Sequence, residues 1–141
     1  MNTDRNELGS QWSIWDFHIH SPVSFEWSGQ RIEIPNIQEK STETLIKQCV
    51  DAMKISPASV FVIQDYWTFN GYHLLKEFLN THPDLLPGKT ILPGIELRIE
   101  APANFRLNVH AIFSEKLTKQ QLEDFRAKLN IVGSDRSLSE E

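Results

Sequence analysis

The chain has 141 residues, 40% hydrophobic and 23% charged, with no low-complexity tract, which fits at most one globular domain with a packed core. Fourteen Lys and Arg against nineteen Asp and Glu give a net charge of −5, which argues against a broad nucleic-acid surface held by charge alone. A single cysteine, Cys49, excludes an intrachain disulfide, and no run approaches the ~18 apolar residues of a membrane span, so a cytoplasmic protein is expected.

In chain order, residues 1–12 read as a flexible arm without the apolar core of a signal peptide. Ile14 to His20 read as a first strand, ended by Ser21-Pro22 because proline removes a ladder donor. Residues 22–40 are a long mixed connection, with Arg31 to Ile34 a short strand or lid-like excursion. A helix over Thr42 to Lys54 comes next, with Leu45, Ile46, Cys49, Val50 and Met53 at helical spacing and Ser41 or Thr42 as its cap. Ser59 to Ile63 is a continuous apolar run, suited to a strand buried on both faces of a parallel sheet. A second helix starts with Asn70 as a cap, shows a stripe of Tyr72, Leu74, Leu75, Phe78 and Leu79, and stops at His82-Pro83.

Thr90 to Leu92 begins a third strand, interrupted at Pro93-Gly94 and continued through Leu97. Leu107 to Phe113 is a fourth. Thr118 with Gln121 is a capping-box signature for a last helix carrying Leu122, Phe125 and Leu129, with Gly133 placed as its C-terminal cap. Residues 134–141 are a polar tail. The alternation of strands and helices predicts an α/β fold with a parallel sheet, either open or part of a (β/α) barrel, whose site lies at the carboxyl ends of the strands.

Within that frame the chemistry-bearing residues are His18, His20, Asp65, Glu96 and His110. His18 and His20 are two apart on a strand and therefore share a face, as does Asp16, a carboxylate placed to orient the imidazoles. Paired imidazoles on a strand end are half of a metal site; two polar residues on a solvated face are the plainer account. Asp65 comes after a buried strand, where it either ligates or opens a turn. Glu96 lies in a hydrophobic strand, where its charge needs a metal, an Arg partner such as Arg98, or an exposed edge. His110 sits in an apolar strand and is either a ligand or a hydrogen-bonded core histidine. The chain has no P-loop, no G-x-G-x-x-G, no G-x-S-x-G and no Cys-x-x-Cys.

Asp16-Phe17-His18-Ile19-His20-Ser21 resembles the opening D-x-H-x-H-[ST] motif of PHP domains, the polymerase and histidinol phosphatase superfamily. Asp65 with Asn70-Gly71-Tyr72, Gly94-Ile95-Glu96 and Asn108-Val109-His110 resemble its later motifs in the same order, over roughly residues 12–115. The text around Gly9-Ser10-Gln11-Trp12 and Asp65-Tyr66 is similar to the PHP module of PHP–ATPase fusion proteins, associated with nucleic-acid processing or phage defence. The resemblance implies a distorted seven-stranded, TIM-like (β/α) barrel of which about four βα units are present, with residues 13–133 as its N-terminal half. It further implies hydrolysis of phosphate esters with divalent zinc, manganese or iron. His18, His20 and Glu96 would hold one metal, Glu96 would bridge to a second that His110 also ligates, and Asp65 would serve a third.

Tyr66 stands where the family has a histidine, and the closing D-x-H motif is absent. Two functions are therefore expected to compete: a metal-dependent phosphoesterase, of nuclease type if its substrate is nucleic acid, and a non-catalytic PHP half acting as a binding or regulatory module. An amidohydrolase-like metal enzyme fits Gly94-x-Glu96 poorly. An ATPase domain or a further chain is expected to complete the barrel, and association into a homo-oligomer is a separate expectation, because an isolated half exposes a sheet edge and apolar surface.

Overall fold

The computed structural model describes residues 12–34, 39–100, 105–133 and 137–138. The fold is mixed α/β, a curled, half-barrel sheet of four strands with three helices. The strands are β1 (Trp15–Ile19), β2 (Val60–Ile63), β3 (Thr90–Glu100) and β4 (Arg106–Ile112), in that spatial order. The α-helices are α1 (Glu39–Ile55), α2 (Asn70–Thr81) and α3 (Lys119–Arg126).

β1, β2 and β3 are parallel, as the alternating pattern predicts, and each parallel connection carries a helix. The fourth strand departs from that pattern: β4 runs antiparallel to β3. A parallel crossover needs a dozen or more residues, and only residues 101–105 join the two strands. The expected four βα units are thus two parallel crossovers and then a hairpin.

β3 is also continuous where a break at Pro93-Gly94 is expected. Its first part, through Pro93, pairs with β2, and its second part, from Gly94, pairs with β4. Proline falls at the handover, where its carbonyl accepts the Phe113 N–H at 2.9 Å. Gly94 is required by close approach: a Cβ there would stand 2.7 Å from Gln64 Cδ and 2.8 Å from Val62 Cγ1.

The core joins Leu45, Ile46, Cys49, Val50 and Met53 of α1 with Tyr72 and Leu75 of α2, Leu122 of α3, and Phe61, Ile63, Ile91 and Ile95 of the sheet. Burial pushes the Cys49 thiol up to about 12, so it is a packed, protonated side chain. Several helix ends differ from the sequence reading. α1 begins at Glu39, which places Ser41 and Thr42 inside its first turn. Phe69 precedes α2 without a side-chain cap, and the Thr68 hydroxyl accepts the Asn70 N–H at 3.1 Å. The Thr118–Gln121 capping box is present in both directions, a motif whose cap alone contributes about 1 kcal/mol. α3 ends at Arg126, so Gly133, at φ +79°, belongs to a later turn. Arg31 to Ile34 form no strand; Ile32 is buried and its N–H binds the Pro22 carbonyl at 2.9 Å.

The expected arm lies outside the described residues except for Trp12. Of the expected tail, Ser137 bridges Asn130, and the Leu138 N–H donates to the Leu129 carbonyl at 2.7 Å. No helix among the described residues is long and apolar enough to cross a membrane. β1 and β4 are the outer strands of the described sheet, and both carry exposed apolar side chains, including Trp15 and Phe17 on β1 and Leu107 and Val109 on β4.

Candidate metal centre

The site forms where the parallel strands end. β1 carries one extra residue relative to β2 between Asp16, opposite Phe61, and Ile19, opposite Ile63. A bulge of this kind re-aims the side chains beyond it. Past β2 the chain stays attached to both neighbours: the Gln64 N–H donates to the Ile19 carbonyl, and the Glu96 N–H donates to the Asp65 carbonyl at 3.1 Å. His18, His20 and Glu96 are thereby brought together, with one ligand-type atom from each lying within 4.8 Å of the others.

Glu96 is the centre of the group and only 1% exposed. Its Oε2 accepts a hydrogen bond from His18 Nε2 at 2.9 Å and stands 3.6 Å from His20 Nε2. Asn108 Nδ2 donates to the other oxygen, Oε1, at 2.9 Å. Burial alone pushes the Glu96 carboxyl up; hydrogen bonds from Tyr66 and His18, with the charge of His18 and His110, outweigh it and hold the group below its ordinary value. Glu96 is therefore an anion at neutral pH.

The His20 Nδ1 is engaged by the Ser24 hydroxyl at 3.2 Å, which leaves Nε2 as the nitrogen turned toward Glu96. Burial first, then neighbouring His18, lowers the His20 pKa, so its imidazole is held in the neutral form that ligates metals. The ligand atoms of a tetrahedral zinc stand about 3.3 Å apart, given metal–ligand bonds near 2.0–2.1 Å. The 2.9 and 3.6 Å separations from Glu96 bracket that spacing, the three ligand-type atoms lie within 4.8 Å of one another, and two imidazoles with one buried carboxylate could hold a metal ion. The residues present fit a divalent ion.

The other sequence candidates fall around this group with different roles. His110 lies opposite Glu96 in the β3–β4 ladder, and its ring centroid is 4.5 Å from that of His18. Asp65 is 1% exposed and commits both oxygens to one residue: the Ser21 N–H donates to Oδ1 at 2.7 Å and the Ser21 hydroxyl to Oδ2 at 2.6 Å. Burial pushes the Asp65 carboxyl up to about 6, against those two bonds, and Oδ1 stands 4.0 Å from His20 Nδ1. Asp16 is exposed, and its Oδ1 accepts the His18 backbone N–H at 3.3 Å rather than reaching an imidazole.

Sequence reasoning assigns no site role to Asn108, Ser21, Ser24 or Tyr66. Asn108 sits opposite Arg98 and reaches Glu96 diagonally, a relation set by the register of the hairpin. Tyr66 stacks on His20, with centroids 5.5 Å apart and planes at 11°. Its hydroxyl bonds with Glu96, which with burial raises the phenol pKa, and Arg98 lies over the same ring at 5.6 Å. Comparison with known protein families, with curated proteins and with solved structures finds no match.

Proposed function

We propose that the chain is the metal-binding half of a PHP-like, TIM-type barrel and that its site hydrolyses phosphate esters. The observation that carries this reading is the convergence of His18 Nε2, His20 Nε2 and a buried, ionised Glu96 at one point beyond the parallel strands. A bound divalent ion there supplies a low-pKa water and a positive charge for phosphoryl oxygens. His18, the neutral His20 and Glu96 would hold it, Ser24 would fix the His20 ring, Asn108 would fix the free Glu96 oxygen, and His110 would supply a further ligand on the β4 side. The outer edges of β1 and β4 are the places where further chain, an ATPase-linked segment or a second copy would add strands.

A second reading, a non-catalytic metal-binding or regulatory module, is favoured by one observation. Both Asp65 oxygens are already satisfied by Ser21, which disfavours a third metal.

Metal content of the purified chain, measured by mass spectrometry beside His18→Ala/His20→Ala, tests the site. One or more equivalents of zinc, manganese or iron, lost in the double variant, is the expected result; unchanged metal content in the variant overturns it. Turnover of a simple aryl phosphate or bis-aryl phosphate by the loaded chain then separates the two readings. Loading without turnover leaves the module.

A further inference from the structure

We propose that Phe25 and Trp67 form a stacking platform that selects phosphate esters carrying a planar base, that is, a mononucleotide or the end of a single strand. The phosphate half of this proposal rests on the phosphoesterase reading above; the base half stands on separate observations. Trp67 adopts φ +61°, the one non-glycine residue at positive φ among the described residues. A bulky side chain in that conformation is strained, and such strain concentrates at ligand sites. It is held there by its N–H, which donates to the Glu96 carbonyl at 3.2 Å.

Trp67 stays 42% exposed and Phe25 43% exposed. The two rings lie 5.5 Å apart at 33°, an open aromatic surface rather than a core contact. Tyr66 lies beneath both, 4.7 Å from Phe25 and 5.8 Å from Trp67, and stacks in turn on His20. One ring thus separates the platform from the metal-ligating imidazole. Arg98, over the Tyr66 face and two residues past Glu96, adds a cation beside the platform. Trp67 and Arg98 also open onto a groove of about 870 Å³ lined by Leu97, Ile99 and Phe105, with room for a second nucleotide unit next to the stacked base.

Aromatic faces accept any base, and one base–aromatic stack changes affinity by about tenfold or more. Calorimetric titration of the metal-loaded chain with adenosine monophosphate, adenosine, inorganic phosphate and a short oligothymidylate tests the proposal. Adenosine monophosphate is expected to bind at least about tenfold tighter than phosphate. Trp67→Gly, which relieves the positive φ, is expected to keep or raise the thermal midpoint and to erase that preference, while Trp67→Phe retains most of it.

Equal affinity for the nucleotide and phosphate, or a preference that survives Trp67→Gly, overturns the platform. Adenosine needs no metal: Trp67-dependent adenosine binding by a chain that takes up no metal would sink the phosphoesterase reading and leave the platform standing. With the mononucleotide bound in preference to phosphate, a tighter oligonucleotide assigns the ligand to the end of a strand, and an oligonucleotide bound no tighter assigns it to the nucleotide unit.

Discussion

Asp65 and Glu96 are both carboxylates just beyond the parallel pairing of adjacent strands, both only 1% exposed, and their surroundings drive them in opposite directions. Asp65 is held by one serine, with Gly71 pressed against it, and burial raises its pKa to about 6. Glu96, as little exposed but less deeply packed, is surrounded by His18, Asn108, Tyr66 and nearby His110, and its pKa is lowered. Burial by itself therefore does not mark a functional carboxylate. The hydrogen-bond donors assembled around Glu96 prepare it to carry a negative charge, which is what a cation site needs; the Asp65 seat ties the β1 turn to α2.

The largest expected effect tests the structural seat. A Cβ at Gly71 would lie 2.0 Å from both Asp65 Oδ2 and Ser21 Oγ. Gly71→Ala is expected to cost at least ~3 kcal/mol in denaturant unfolding, from overpacking and a broken buried network. A loss below about 1 kcal/mol would mean that α2 can move away without disturbing Asp65.

Next comes the pH dependence of the metal-free chain. The folded Asp65 pKa, about 6, lies above its ordinary 3.8, so the native state disfavours the anion. That cost, about 3 kcal/mol, is fully present above pH 6 and disappears as pH falls toward 4. Asp65→Asn is expected to remove this rise in stability on acidification, read as chemical unfolding midpoints between pH 4 and 7. Glu96 has the opposite sign: its folded pKa is depressed, so its contribution is present above the ordinary 4.5 and is lost as pH falls through the folded value.

Glu96→Gln sharpens the contrast. The amide sets a donor against either Asn108 or His18, at a cost of about 1–2 kcal/mol, while metal content falls to the level of the double histidine variant. Retained metal would place the ion elsewhere than at Glu96. The smallest effect concerns Gln64, beside Asp65, which is fully buried with neither amide atom bonded among the described residues. Gln64→Met is expected to raise stability by about 1 kcal/mol, because an unpaired buried amide is replaced by an apolar chain of similar length. A fall instead would show that the amide holds a bound water or ligand.

The sequence by itself determined the features whose causes are local. Helical spacing in Leu45 to Met53 and Tyr72 to Leu79, the continuous apolar run of β2, and the Thr118–Gln121 box each depend on neighbours within one or two turns or one strand. The same holds for His18 and His20 sharing a site: two-residue spacing at the end of β1 sets it, and the bulge adjusts rather than undoes it. The antiparallel β4, which places His110 opposite Glu96 and lets Asn108 reach it, was decided by the tertiary structure, because ladder register depends on partners that spacing along the chain does not specify. So were the capture of Asp65 by Ser21 across 44 residues and the positive φ of Trp67. Both go with hydrogen bonds between segments that meet only once the sheet has formed, and spacing along the chain does not specify them.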